Sequence, residues 1–226
     1  MNKEIRFIPG IGAFVSPEDD VEDFLDTLIA IDYREEFCVS TNFSPQFIAR
    51  LMEAGFLVMA QDNILLPKIH IERSLLFFED MHIKKSIRHL LPRYELRYDT
   101  DFDHIVDQCI AVHGEGWLVP NLVRGIRQIR QSKRTKIRPV SFGVYRDGVL
   151  RAGEFGIVAG GVYTSYSGYT DENNAGTVQL ILMTEFLRDN GFSFLDFGMP
   201  MDYKSDLGAH VVDTQTFVSL FRNARN

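Results

Sequence analysis

Between residues 140 and 197 the chain carries a pattern that few folds accommodate. Val140–Tyr145 and Val149–Phe155 are two runs of strand-forming residues, and Arg146-Asp147-Gly148 lies between them. Asp-Gly between such runs is a hairpin signal, because both residues tolerate the left-handed conformation a tight hairpin turn needs. Ile157–Ser167 reads as a further strand region. Residues 175–189 then predict a helix carrying Val178, Leu180, Ile181, Met183 and Phe186, which Asn190-Gly191 ends. Phe192–Phe197 follows as a buried-looking strand. Strands, then a helix, then a strand imply a mixed sheet with helices packed on it, an α+β or α/β fold.

The upstream half is more mixed. Residues 19–31 predict a helix with Val21, Phe24, Leu25, Leu28 and Ile29 on one face and acids crowding its first turn. Ser44-Pro45 is a helix start, a capping hydroxyl followed by a first-turn proline, and Gly55 is a natural stop. Residues 63–79 read as extended, 81–91 as a short basic helix ended by Pro92, and 102–112 and 121–131 as helices. With 226 residues, 45% of them hydrophobic, the chain has enough apolar material for a sizeable core. The reading divides it into a small N-terminal domain, 1–72, and a larger domain, 73–226. No apolar run reaches the roughly 18 residues of a membrane helix, and the N-terminus lacks the pattern of a signal peptide. Cys38 and Cys109 are too few for a zinc cage and read as buried thiols. The expectation is a cytoplasmic protein with no membrane partner, no metal and no cofactor.

A net charge of −7 argues against a polyanionic partner, but its distribution matters more. Residues 18–36 hold nine acids and one arginine. Residues 121–138 hold Arg124, Arg127, Arg130, Lys133, Arg134, Lys136 and Arg138 with no acid. Lys84, Lys85, Arg88, Arg93 and Arg97 form a second basic stretch. Either run can be a solvated face or a docking track for phosphates.

Several segments, in order, resemble the leucyl/phenylalanyl-tRNA–protein transferase family. Ser40-Thr41-Asn42-Phe43-Ser44-Pro45 stands where that family has GGDLSP, and Gly55-Phe56 is similar to its RGIFPW. Met81 through Arg88 resembles LHISRSMKR, Trp117-Leu118 its TWI, and Ala152 through Gly156 its GGMYGV. Asn174-Ala175, Gly191-Phe192 with Leu195-Asp196, and Ser205 through Ala209 match its NAS, GF…LIDCQ and ASLGA segments. The resemblance covers residues 37 to 222. It implies a GNAT-like catalytic domain behind a small N-terminal domain. It also implies transfer of leucine or phenylalanine from aminoacyl-tRNA to acceptor protein N-termini, a mark for N-degron degradation.

The resemblance assigns Asp196 and Gly198 to the catalytic centre. Asp196 keeps the family's aspartate, whereas Gly198 replaces a glutamine proposed for catalysis and Tyr166 replaces a glutamate. Met59 stands for a tryptophan and Thr177 for a lysine. Attack of an amine on an activated ester needs mainly positioning and a dipole for the developing oxyanion, and backbone N–H groups around Gly198 are candidates for that dipole. Asp196 either binds an acceptor's ammonium or caps the next turn. Trp117 either stacks on the terminal adenosine of tRNA or belongs to the core. The cluster Tyr163, Tyr166 and Tyr169, with Phe155 and Ser167, would line the amino-acid pocket if the glycines at 160, 161 and 168 bend the chain, with core packing as the plain alternative. Lys84, Lys85, Arg88, Arg124, Arg127, Arg130, Lys133 and Arg134 would follow the acceptor stem. Two other functions fit the same scaffold: an acyl-CoA-dependent N-acyltransferase, and a catalytically inactive tRNA- or amino-acid-binding relative. The QxxGxG/A loop that cradles coenzyme A is missing, which weighs against the first.

Overall fold

A computed structural model describes residues 5–226. The chain begins with strands β1 (Arg6–Ile8) and β2 (Gly12–Phe14), helix α1 (Val21–Ala30), strand β3 (Cys38–Val39) and helix α2 (Pro45–Glu53). Strands β4 (Leu57–Gln61), β5 (Ile64–Lys68) and β6 (Glu72–Leu76) follow, then α3 (Lys85–Arg88), β7 (Glu95–Tyr98), α4 (Phe102–His113) and α5 (Pro120–Gln131). The central block is β8 (Ile137–Arg146), β9 (Val149–Ala159), β10 (Val162–Thr170), α6 (Ala175–Asp189) and β11 (Phe194–Asp196). Helix α7 (Asp202–Asp206), strand β12 (His210–Asp213) and helix α8 (Thr214–Arg225) complete it.

Seven strands form one mixed sheet in the order β12-β6-β11-β10-β9-β8-β7. Only β10 and β11 run parallel in it, because α6 carries the chain back across the sheet between them. Phe142, Tyr163 and Leu195 face α6, where Val178, Ile181 and Leu187 meet them. Phe155, Ile157, Val162 and Phe194 face the other way, into a core shared with α1, α2, α4, α5 and α8. With both faces covered, the central strands read as near-continuous apolar runs rather than alternating ones. Each fully buried aliphatic or Phe side chain contributes about 1.5–3 kcal/mol.

The expected mixed sheet with packed helices is therefore the one observed. The β8–β9 turn has Asp147 at φ +54° and Gly148 at φ +76°, both left-handed, as the Asp-Gly signal predicted. Helix α1 starts at Asp20, whose carboxylate accepts from the Glu22 and Asp23 N–H groups. Ser44 differs from expectation: its hydroxyl makes no capping bond, and Asn42 Oδ1 instead accepts the Ser44 N–H at 2.9 Å. The strand read over 157–167 is two strands, β9 ending at Ala159 and β10 beginning at Val162, because Gly160 at φ +53° reverses the chain. The basic helix read over 81–91 contracts to the single turn of α3, and Pro92 sits inside a separate 3-10 turn.

The C-terminal helix ties the chain ends together. Arg222 pairs with Glu22 and Asp26, and Arg225 with Glu22, so acids of the 18–36 run meet cations from the far end of the chain. Phe217 and Phe221 pack beneath Gly55. Among the described residues no helix is long and apolar enough to cross a membrane.

Candidate active site

Strands β10 and β11 pair over three residues, Val162 with Phe194, Tyr163 with Leu195 and Thr164 with Asp196. There β11 ends, while β10 runs on past an irregularity between Ser165 and Ser167. Two parallel strands thus part at their carboxyl ends, the place where open α/β sheets bind ligands. A buried polar cluster fills this point.

Asp196 is completely buried. Arg73, on the neighbouring strand β6, reaches it with Nε at 2.8 Å from Oδ1 and Nη2 at 2.6 Å from Oδ2. Thr164 Oγ1 donates to Oδ2 at 2.8 Å and the Gly198 N–H to Oδ1 at 2.9 Å. The Arg73 guanidinium also lies over the Phe217 ring, 4.2 Å from its centroid. Such a pair stands in a low-dielectric interior only because planar bidentate geometry and further donors compensate its desolvation.

Three other ionisable groups surround the pair. His70 Nδ1 lies 2.9 Å from Arg73 Nη1. Arginine can only donate, so Nδ1 accepts and the ring proton sits on Nε2. Burial, with the charges of Arg73, Lys68 and Lys204, pushes the imidazole pKa down to about 2. Lys204, on α7, is buried and donates from Nζ to Phe197 O at 2.8 Å and Met199 O at 2.7 Å. Burial lowers its pKa to about 8, against the pull of Asp196 and Glu154. Glu154, on β9, accepts from the Tyr163 hydroxyl at 2.9 Å, and burial raises its carboxyl above the usual range.

These bonds revise two expectations. Four donors occupy the four lone-pair directions of Asp196, so no lone pair remains for an acceptor's ammonium. Asp196 here anchors the turn beneath the crevice. The Gly198 N–H is spent on Asp196, and the Phe197 N–H on Ser74 O at 2.9 Å, so neither is a free dipole for an oxyanion. Gly198 sits at φ +71°, where a glutamine would be strained.

The aromatic residues do converge in part. The Trp117 and Tyr166 ring centroids lie 6.4 Å apart and those of Tyr166 and Phe155 6.1 Å apart. Trp117 is half-buried and Phe155 wholly so. The Tyr166 hydroxyl accepts from the Val58 N–H at 3.1 Å, and burial raises its pKa. Tyr169 is half-buried on the same side of the sheet, and the Ser167 carbonyl receives the Cys109 thiol at 3.4 Å. Tyr163 is on the opposite face, edge-on to Phe142.

The basic run changes more. Arg127 bonds Asp103 and Asp107, each at 2.7 Å, and Arg130 bonds Asp99 at 2.6 Å while covering the Phe102 ring. The acids come from α4 and the segment before it, so the three-arginine track on α5 is largely neutralised. Arg124 is exposed with Asn121 as its partner, and it helps line a cavity of about 310 Å³ between α4 and α5. Lys84 pairs with Asp206 at 2.6 Å. Lys85, Arg88, Lys133 and Arg134 are exposed with no acidic partner among the described residues.

Sequence reasoning did not single out Arg73, His70 or Lys204. The signal for Arg73 was present: one cation opening the apolar stretch Arg73-Ser74-Leu75-Leu76-Phe77-Phe78.

The sequence profile of the leucyl/phenylalanyl-tRNA protein transferase family matches residues 75–222, which include β8 to β11 and the parting of β10 from β11. The chain belongs to this family. A leucyl/phenylalanyl-tRNA–protein transferase of Pseudomonas putida KT2440 is 27% identical over 152 residues, 65% of this chain and 66% of the relative. One of Flavobacterium johnsoniae is 24% identical over 157 residues, 67% of this chain and 72% of the relative. The matched region thus spans about two thirds of the relatives' length. Among solved structures, FemX superposes with a TM-score of 0.50 at 11% identity, covering 96% of this chain and 85% of FemX, which is a likeness of fold.

Proposed function

We propose that this member of the family transfers a leucine- or phenylalanine-like amino acid from aminoacyl-tRNA to the N-terminal amine of an acceptor protein. The observation that carries the reading is the family match through residues 75–222, the span that holds the crevice and Trp117. The acceptor's α-amine has a pKa of about 7.7–8, so a useful fraction is neutral near pH 7 without a strong base. Its nitrogen attacks the ester carbonyl, and the ribose oxygen of the tRNA leaves with the amine's proton. Holding the two reactants in register supplies much of the acceleration for such a step.

In this reading Trp117, Tyr166 and Phe155 form an aromatic surface beside the crevice, with Ser167 and Tyr169 at its edge. Arg124, Lys133, Arg134, Lys85 and Arg88 offer the free cations for the acceptor stem, while Arg127, Arg130 and Lys84 hold the fold. Residues 1–72 act as an N-terminal unit pressing α2 and β4 against α5 and Trp117, and 73–226 as the catalytic unit. The test is a transfer assay with labelled leucyl- and phenylalanyl-tRNA and peptides beginning with Arg, Lys, Asp or Glu. Label in the basic-start peptide supports the family reaction. Label only in the acidic-start peptide keeps the reaction and changes the acceptor. No label with any aminoacyl-tRNA refutes the reading.

A further inference from the structure

We propose that His70 is a catalytic residue, whose Nε2–H donates to the carbonyl oxygen of the ester under attack. The inference rests on the reading of the chain as an aminoacyltransferase, and three observations carry it.

The first is the tautomer. Arg73 Nη1 holds Nδ1 at 2.9 Å, which leaves Nε2 as the protonated nitrogen. The second is that this donor is unused: Nε2 has no hydrogen-bond partner among the described residues, although His70 is 4% exposed. Nε2 is not among the fully enclosed polar atoms left without a partner, so this donor reaches the surface of an otherwise buried ring, where a ligand can meet it. The third is its place. A Cβ added at Gly198 would lie 3.4 Å from Leu57 Cδ1, 3.7 Å from His70 Cε1 and 3.8 Å from His70 Nε2. The imidazole therefore borders the space a side chain at 198 would enter, beside the turn that follows Asp196.

The surroundings fix the ring. Asp196 holds Arg73, Arg73 holds Nδ1, and the His70 carbonyl accepts the Thr214 hydroxyl at 2.8 Å. The cations Arg73 on β6, Lys68 on β5 and Lys204 on α7 disfavour a second proton, so the ring stays neutral. A neutral imidazole suits a donor that stabilises charge without giving up its proton. As the amine nitrogen bonds to the carbonyl carbon, the carbonyl electrons move to oxygen and Nε2–H strengthens its hydrogen bond there. When the C–O bond to ribose breaks, those electrons return to re-form the carbonyl. The amine's proton leaves with the ribose oxygen, and His70 keeps its own.

The experiment compares the full chain with His70→Gln and His70→Leu in steady-state transfer from phenylalanyl-tRNA to an Arg-start peptide. Loss of an oxyanion donor lowers kcat on the order of 10²–10³-fold, so His70→Leu should fall by that amount with KM nearly unchanged. His70→Gln, whose amide keeps both an acceptor for Arg73 and a donor, should retain most of kcat. A folded His70→Leu protein with wild-type kcat overturns the assignment. To make the test independent of that variant's folding, the wild type labelled at histidine is also titrated with an amide-linked phenylalanyl adenosine, and its imidazole N–H is followed by NMR. Movement of the His70 Nε2–H resonance on saturation is expected, and an unmoved resonance overturns the assignment. If the wild type transfers nothing to any peptide, the aminoacyltransferase reading fails on its own, and the titration still decides His70.

Discussion

Replacing Arg73 by methionine tests the buried cluster directly. Arg73 is 1% exposed and Asp196 is fully enclosed, so removing the guanidinium leaves a carboxylate with only Thr164 and the Gly198 N–H as donors. Breaking a buried pair from one side costs about 3–5 kcal/mol, because the remaining charge cannot reach water. The lost contact with Phe217 adds to this cost. Against a typical stability of about 5–15 kcal/mol, one substitution removes a large share of the total. For a chain of this size each kcal/mol shifts Tm by about 2–4 °C, so Arg73→Met should lower it by roughly 6–20 °C. Asp196→Leu should cost a similar amount. The double variant should be much more stable than the sum of the two predicts, since neither charge is then stranded. Urea denaturation of the four proteins gives the cycle. Single variants within about 1 kcal/mol of the wild type, or strictly additive losses, would refute the reasoning.

Lys204 predicts a pH dependence. Its folded pKa of about 8 lies below its ordinary value of 10.5, so between those values the unfolded chain binds the extra proton and stability rises with pH. The wild type should gain about 3 kcal/mol relative to Lys204→Met across that window and nothing below it, a difference urea titrations at several pH values will reveal. Cys38 and Cys109 are both buried with their thiols pushed up to about 12. A thiol reagent at about pH 8 should label neither until the protein unfolds, and rapid labelling of the native state would contradict their burial. Reversing Lys133 and Arg134 to glutamate should weaken tRNA binding and flatten its dependence on salt by about one unit of slope per lost phosphate contact. Arg127→Ala should leave that slope unchanged, because Arg127 is already committed to Asp103 and Asp107; a filter-binding series over salt distinguishes the two.

By itself the sequence determined the elements whose signals are local. The Asp147-Gly148 hairpin, helices α1, α2, α4, α5 and α6, and strand β11 follow from turn chemistry and apolar periodicity within a dozen residues, and all are present. Family membership was also legible, because short segments kept their order along the chain. Helix α8 carried readable marks too, a capping Asp213 and apolar Phe217, Val218 and Phe221, but no reading of the sequence placed it.

Only the tertiary structure decided how charge and polarity are shared. Arg73 and Asp196 are 123 residues apart, and they meet because β6 inserts between β11 and β12. The acid-free run 121–138 looked like a cationic track, yet α4 and the segment before it bring Asp99, Asp103 and Asp107 against Arg127 and Arg130. The irregularity between Ser165 and Ser167 resets the alternation of β10, so Tyr166 and Tyr169 share a face that Tyr163 does not. A hydrogen bond or ion pair depends on distance in space, and sequence periodicity records only distance along the chain. Which residues are near neighbours across a sheet is therefore settled by strand order.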